Sequence, residues 1–324
     1  MKYDQVMRTV RAPAGVAEFA LPTPVSAPPA AADWLHEIKF DGYRVQLSVE
    51  RGQARLRTRH GQDWTQRLPA LARVIGQLPD CVIDGELCAV NGDGYSDFAA
   101  LRSALALEQS GRLVVFAFDA LEDAQDGDLR AWPLTARKRR LRTLLARGGR
   151  AARMALPYVG EIDVPAHALF QAASVLGLEG IVSKRRDGVY PAGRTQGWVK
   201  TKCRPSEEVV IGGWKSDGER FDALLAGVVE DGRLRYAGAV QSGYDAIAIG
   251  DLVRRLRRLE TGENPFELGE APRRDGKIRW VRPELVAEIE FAGAAASGRA
   301  RRASFKGLRL DKTFEDLRGD EQLR

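Results

Sequence analysis

From Trp34 onward, the apolar residues of this chain fall mostly into short alternating runs cut by Gly, Asn and Asp turn signals. This pattern limits the fold more than any other feature. Alternation with period two marks strands that bury one face. Regular strand–helix–strand repetition is missing, which argues for an α+β arrangement over a Rossmann fold. Residues 35–40 read as a strand, and residues 43–49 and 54–58 as a hairpin about the turn Glu50-Arg51-Gly52-Gln53. Residues 81–90 form another strand, ended by Asn91-Gly92-Asp93-Gly94, after which Ser96 is placed to cap a helix running towards Leu107. Residues 113–121 are a strongly apolar strand. A basic helix opens at Pro133 and Thr135, with Leu141, Leu144 and Leu145 on one face and its Arg and Lys residues expected mostly in solvent. A second helix, 166–176, closes at Gly177 and is followed by strands at 180–184 and 198–202.

The pattern changes after Cys203. Strands are expected at 208–215, 223–229, 234–241 and 285–291, with one helix at 247–259. Several strands with a single inserted helix suit a small β-barrel of the OB type. The boundary falls near Arg204-Pro205-Ser206, giving two units, 1–204 and 205–324. Residues 12–32, rich in Pro and Ala without helical or strand period, read as an extended lead-in across a surface.

Composition narrows the class. Hydrophobic residues make up 44% and charged residues 29%, which is globular rather than disordered. No apolar run is long enough to cross a bilayer, and residues 1–19 lack the features of a signal peptide, so a cytoplasmic location is expected. Cys81, Cys88 and Cys203 are not spaced as Cys-x-x-Cys, which argues against a zinc site or disulfide framework. The net charge of +6 is unevenly placed: residues 130–160 carry nine Lys or Arg and no Asp or Glu. Arg299, Arg301, Arg302, Lys306 and Arg309 crowd near the end. Such clusters suit a polyanion, because neutralising phosphates releases counterions, but they also suit a solvated helix face.

The chemistry concentrates in Glu37-Ile38-Lys39-Phe40-Asp41-Gly42-Tyr43-Arg44. A lysine stands at a strand end before a Gly turn, with a carboxylate two residues on and an arginine five residues on. By itself Lys-x-Asp-Gly is a weak signal. Its weight comes from six further motifs in order along the chain: Thr58-Arg59-His60-Gly61, Asp84-Gly85-Glu86, Phe116-Ala117-Phe118-Asp119, Glu179-Gly180-Ile181-Val182, Trp198-Val199-Lys200-Thr201-Lys202 and Arg309-Leu310-Asp311-Lys312. The ordered series resembles the covalent nucleotidyltransferase superfamily of ligases and capping enzymes. The finer likeness is to bacterial ATP-dependent DNA ligases of the end-joining type, the ligase module of ligase D and its stand-alone relatives. It rests on the segment from Trp34 to Arg44, on Val210-Ile211-Gly212-Gly213-Trp214, on Arg235-Tyr236-Ala237-Gly238 and on Ser304-Phe305-Lys306-Gly307-Leu308-Arg309. The likeness covers nearly the whole chain and leaves no room for the primase-polymerase and phosphoesterase modules of the fused enzymes. One departure is the small, basic stretch 293–303, where relatives often carry a Trp-Thr pair.

The resemblance implies a nucleotidyltransferase (ATP-grasp-like ligase) domain of antiparallel sheets and flanking helices, followed by an OB-fold barrel. It implies three steps: Lys39 takes AMP from ATP, AMP passes to a DNA 5′-phosphate, and a 3′-hydroxyl displaces it. A free lysine has a pKa near ~10.4, so cations beside Lys39 are needed to free its amine. By the same resemblance, Arg44, Arg59 and Glu86 hold ribose and phosphate, Phe118 stacks on adenine, and the backbone at Glu37 and Ile38 reads the purine edge. Asp41, Asp84 and Glu179 are the carboxylates nearest the chemistry. Glu179 is the first choice as ligand for Mg²⁺ or Mn²⁺, with Glu86 second. Lys200 and Lys202 stabilise the α-phosphate, Arg194 clamps a phosphate, and Arg309 and Lys312 swing in with the barrel to orient pyrophosphate.

The implied substrate is duplex DNA with a nick or break, met by a monomer in the cytoplasm at the nucleoid, with a Ku-type end-binding protein as candidate partner. On the same scaffold an RNA ligase, a GTP-using capping enzyme or an inactive DNA-binding relative remain alternatives. An NAD-dependent ligase is disfavoured, since its zinc-binding cysteines and extra amino-terminal domain are missing. His36, His60 and His167 are not on metal-ligand spacing and receive no role.

Overall fold

A computed structural model describes residues 18–107, 111, 113–204, 206–218, 220–244, 246–272, 276–291 and 303–322. In chain order its strands are β1 (Ala20–Pro24), β2 (Trp34–Lys39), β3 (Tyr43–Glu50), β4 (Gln53–Thr58), β5 (Cys81–Ala89), β6 (Leu113–Asp123), β7 (Gly127–Asp128), β8 (Gly180–Arg185) and β9 (Gly193–Lys202), then β10 (Ser206–Asp217), β11 (Arg220–Glu230), β12 (Arg233–Val240), β13 (Glu260–Thr261), β14 (Ile278–Val281), β15 (Val286–Phe291) and β16 (Ala303–Leu308). The helices are α1 (Pro69–Ile75), α2 (Phe98–Ala106), α3 (Leu134–Arg147), α4 (Gly149–Ala155), α5 (Ala166–Val175), α6 (Ala246–Arg258) and α7 (Phe314–Gln322).

Before residue 205 two sheets form, ordered β4-β3-β5-β6-β7 and β1-β9-β8-β2. The pleat decides what each sheet presents. In the first, Val45, Leu47, Ile83, Leu87 and Val115 point outward into a core with residues of α1, α2, α3 and α4. Their alternates Arg44, Asp84, Glu86 and Phe118 are left for the opposite face, which turns to the second sheet. There Val82, Phe118 and Leu121 pack with Ala20, Tyr190 and Trp198. The second sheet buries Ile38 and Ile181 outward with Leu169 and Ala173 of α5. Glu37, Lys39, Trp198, Lys200 and Lys202 lie in the alternate positions. This is the α+β architecture expected, with antiparallel pairing except where β1 runs parallel to β9.

From Ser206 the strands form one antiparallel sheet, β12-β11-β10-β14-β13, with β15 joining β10 to β16. Leu252 and Leu256 of the inserted helix α6 plug its core against Trp214, Leu224, Ile289 and Phe305. The terminal helix α7, which alternation does not reveal, lays Phe314 and Leu317 against a second cluster around Phe266 and Trp280.

Three local expectations are corrected. The lead-in carries no strand period, yet residues 20–24 pair with β9, because an edge strand needs only a free backbone ladder and not an alternating pattern. Asp97, not Ser96, caps α2: its carboxylate accepts the amide of Ala100 at 2.9 Å, while Ser96 Oγ accepts the amide of Asp41 at 3.2 Å. Helix α3 does not leave its cations mostly in water. Arg139, Arg142 and Arg147 are exposed, but Arg137 and Lys138 are buried. Their positions fall on the same helix face as Leu134, Leu141 and Leu145. The segment 293–302, where the Trp-Thr pair is absent, lies outside the described residues.

Arg137 is buried because its donors are filled. It forms a two-pronged pair with Asp119 at 2.8 and 2.9 Å and donates to the carbonyls of Trp132 at 2.5 Å and Gly188 at 2.9 Å. Replacing it with Met strands a buried carboxylate, and breaking such a pair costs about 3–5 kcal/mol. Urea unfolding of Arg137→Met should show a loss of that order, and Asp119→Leu in the same chain should restore much of it.

Candidate active site

Lys39 ends β2 where the two sheets meet. Its ammonium donates to Glu179 Oε2 at 2.7 Å, and Lys202 Nζ lies 3.7 Å from Glu179 Oε1. The side chain of Lys39 is 21% exposed and that of Glu179 8%. Glu179 reaches this place because it directly precedes β8, whose first residue Gly180 is the register partner of both Lys39 and Lys202. Gly180 has φ +151°, and a Cβ there would stand 2.1 Å from the Thr201 carbonyl oxygen. Gly42 is confined in the same way: a Cβ would meet the Leu87 carbonyl oxygen at 2.2 Å. The glycines after Asp41 and Glu179 thus let backbones approach closely enough to bring two carboxylates to one lysine.

Burial disfavours the Lys39 ammonium, but the carboxylates of Glu179, Glu86 and Asp41 outweigh it and hold its pKa above the ordinary lysine value. Burial raises Glu86 to about 8, opposed by Lys39 and Arg44. Burial and Glu179 raise Asp41 to about 6, against the pull of Lys306. Lys200 behaves oppositely to Lys39. Burial, then the like charges of Lys39 and Lys202, lower it to about 7. The site therefore contains one lysine held charged and another poised to be neutral.

Arg44 stands on β3, in the other sheet. Its guanidinium grips both oxygens of Asp84 at 2.7 Å, and Tyr190 OH donates to Asp84 Oδ2 at 2.6 Å. Asp84 is fully buried, committed to Arg44 and Tyr190 rather than placed at Lys39. Phe118 is buried with Arg44 4.7 Å and Lys184 4.3 Å from its ring centre. Glu37 is buried between Lys138, which also donates to the Val159 carbonyl at 2.9 Å, and Lys184 at 2.6 Å. Ile38 directs its side chain away into the α5 cluster. The amide of Arg59 donates to the Arg44 carbonyl at 3.2 Å. Arg194 is exposed on β9 opposite Leu21 and does not join the Lys39 cluster.

The barrel closes the other side. Lys306 pairs with Asp41 at 2.8 Å, and Tyr43 OH donates to the Leu308 carbonyl at 2.7 Å. Arg309 pairs with Asp311 at 2.8 Å and Glu208 at 3.0 Å, and Lys312 reaches Glu208 at 2.5 Å. Glu208 is driven down to about 2: burial opposes its charge, but Arg309 and Lys312 prevail. His60 Nδ1 meets Asp316 of α7 at 2.8 Å. Among the described residues no group of three or more His, Cys, Asp or Glu side chains is arranged to hold a metal ion.

A family model described as "ATP dependent DNA ligase domain" matches residues 26–202, and one described as "ATP dependent DNA ligase C terminal region" matches residues 217–312. The chain belongs to the ATP-dependent DNA ligases. It is 35% identical over 300 residues to the multifunctional non-homologous end joining protein LigD of Pseudomonas aeruginosa, covering 90% of this chain and 35% of that protein. It is 36% identical over 290 residues to the LigD of Mycobacterium tuberculosis H37Rv, covering 87% and 37%. The chain thus spans about a third of the length of these relatives. A solved structure described as mycobacterial DNA ligase D complexed with ATP and MES superposes with a TM-score of 0.68 at 31% identity, over 93% of this chain and 97% of that one.

Of the residues picked from the ligase sequence, the structure gathers Lys39, Asp41, Glu86, Glu179, Lys200, Lys202 and Arg309 into one charged cluster, with Lys312 beside Arg309 on Glu208. Arg44, Phe118 and Glu37 form a neighbouring cluster. Sequence reading missed Lys138, Lys184, Tyr190 and Glu208 as members of this set. The Lys184 signal was available: it lies in a strand at the same parity as Val182, turned to the cleft. The others are brought in by tertiary contacts alone.

Lys200 supplies a test with a definite sign. A lysine whose folded pKa falls to about 7 from the ordinary 10.5 weakens the fold while charged. The penalty is full below about 7 and vanishes as pH rises to 10.5. Lys200→Met should therefore be more stable than wild type near pH 6, by on the order of 2 kcal/mol. The gain should shrink steadily in melts taken between pH 7 and pH 10.

Proposed function

We propose that this chain seals breaks between a 5′-phosphate and a 3′-hydroxyl in duplex DNA, through AMP carried on Lys39 and then on the DNA 5′ end. The observation that carries the reading is the Lys39 amine set against Glu179, with Lys202 within 4 Å of the same carboxylate and the barrel's Lys306 closed over Asp41. Before attack the Lys39 ammonium must lose its proton. The carboxylates around it oppose that loss, so neutralising them is the first requirement of catalysis.

Glu179 and Glu86 offer only oxygen donors, which suits Mg²⁺ or Mn²⁺ held by one or two carboxylates, with ATP phosphates and water filling the remaining positions. When bound, such an ion draws carboxylate charge away from Lys39 and polarises the phosphates. Lys200 and Lys202 then face the α-phosphate and stabilise the charge that builds as pyrophosphate leaves. Phe118 and the backbone at Glu37 and Ile38 receive adenine, while Arg44, Arg59 and Glu86 take ribose and phosphate. Arg194 would need to turn inward to clamp a phosphate. Arg309 and Lys312 orient pyrophosphate, and the barrel then rotates to admit DNA. In this reading residues 1–204 form the nucleotidyltransferase unit and 205–324 the barrel.

The names of the LigD relatives support a place in end joining. We further propose a Ku-type protein at the DNA end and a monomeric ligase acting in the cytoplasm at the nucleoid. A cationic surface supports the DNA substrate: Arg139, Arg142 and Arg147 are exposed on α3.

Incubation with α-labelled ATP and Mg²⁺ or Mn²⁺ should leave label on the protein after denaturing electrophoresis, and chelator or Lys39→Ala should abolish it. Labelled GTP should give none. A singly nicked DNA duplex should then be sealed at least about tenfold faster than the same nick in RNA. Label that survives Lys39→Ala would refute the assignment.

A further inference from the structure

Glu288 lies on β15, inside the barrel edge that faces Lys39, and its side chain is 5% exposed. Oε1 accepts a hydrogen bond from Ser206 Oγ at 2.7 Å and lies 3.4 Å from Lys202 Nζ and 3.5 Å from Lys306 Nζ. Oε2 lies 3.6 Å from Arg309 Nη1. Lys202 ends β9 and Ser206 begins β10, and Lys202 Nζ also donates to Ser206 Oγ at 2.5 Å. One carboxylate therefore meets both ends of the short link between the sheets and the barrel. It also holds the lysine that pairs with Asp41 and the arginine placed to orient pyrophosphate.

Three cations converge on Glu288: Lys202 from β9, Lys306 from β16 and Arg309 from just past the end of β16. Each also meets another carboxylate, Glu179 for Lys202, Asp41 for Lys306 and Asp311 for Arg309, but among the described residues Glu288 is the one that pairs with all three. Without its charge their mutual repulsion favours any motion that separates them. Rotation of the barrel away from the sheets is that motion, because Lys202 stays with one body while Lys306 and Arg309 leave with the other. We propose that Glu288 is a positioning residue for the first chemical step, the buried counter-charge that holds the barrel closed while Lys39 attacks ATP. This rests on the function proposed above. Glu288 does not touch Lys39 and is not required once AMP has been transferred to DNA, because the barrel has then turned away.

The test separates the steps. Glu288→Gln keeps the shape and the Ser206 contact but removes the charge. Its rate of self-adenylation from ATP should fall at least about tenfold, while its sealing of a nick already carrying AMP on the 5′-phosphate stays within about threefold of wild type. Thermal melts check that the fold is intact. Equal losses in both assays, or no loss in either, overturn the proposal, since a merely structural glutamate would not distinguish the steps. Should Glu288→Gln fail to fold, Lys306→Gln removes the bridge from the same cluster to Asp41 and should show the same split; equal losses there overturn it too. Wild-type protein that takes no label from ATP would defeat the proposed function itself. Wild type that labels, beside a Glu288→Gln variant that labels as fast, would defeat the Glu288 assignment alone.

Discussion

The Lys39–Glu179 pair sets the terms for everything around it. A buried ammonium and a buried carboxylate each carry a desolvation cost of several kcal/mol, which their attraction offsets only in good geometry with further partners. The structure supplies the partners in layers. Lys202 stands on the far side of Glu179, Glu288 on the far side of Lys202, and Lys306 joins Glu288 back to Asp41. The result is a chain of alternating sign, with Lys39, Glu179, Lys202 and Asp41 from the part before residue 205 and Glu288 and Lys306 from the barrel. Such an arrangement explains why the barrel sits where it does: the sheets alone leave Asp41 and Lys202 without it.

Much of this was legible in sequence, and the reason lies in the pleat. The strand reading of residues 43–49, 81–90 and 198–202 assigned Arg44, Glu86, Lys200 and Lys202 to strands, and the ordered motif series tied them to one site. What alternation cannot carry is contact between distant strands. Lys306 pairs with Asp41 across the whole chain, and nothing in the spelling of either segment records it. The buried pair of Arg137 and Lys138 was hidden for a related reason. A basic run on an amphipathic helix reads as a wet face, and only the position of Asp119 and Glu37 on neighbouring strands converts two of its cations into core residues. β1 escaped because an edge strand with Pro on it has no alternation to show.

The charges of the molecule sort into two kinds. One kind is deep and, before residue 205, comprises Arg137 with Asp119, Arg44 with Asp84, and Glu37 with Lys138 and Lys184. Their side chains are at most 15% exposed, and each pair is held further by backbone carbonyls, Tyr190 or aromatic faces. Breaking one strands a charge in a dry place, so these pairs fix the shape of the pocket permanently.

The second kind crosses between sheets and barrel, and it is wetter. Lys202 is 25% exposed and Asp41 19%. Pairs that water can reach are worth about 1 kcal/mol or less each, so no single pair locks the barrel down, and Glu288 holds it only by joining three cations at once. Several together hold it, and they can be exchanged one at a time as it turns. On the function proposed above, closing on ATP and then opening for DNA needs that division of labour. A barrel held by pairs as dry as Arg137–Asp119 would close once and stay closed. On that proposal, the partial wetness of the crossing pairs is the physical condition for running the first step and the last in one protein.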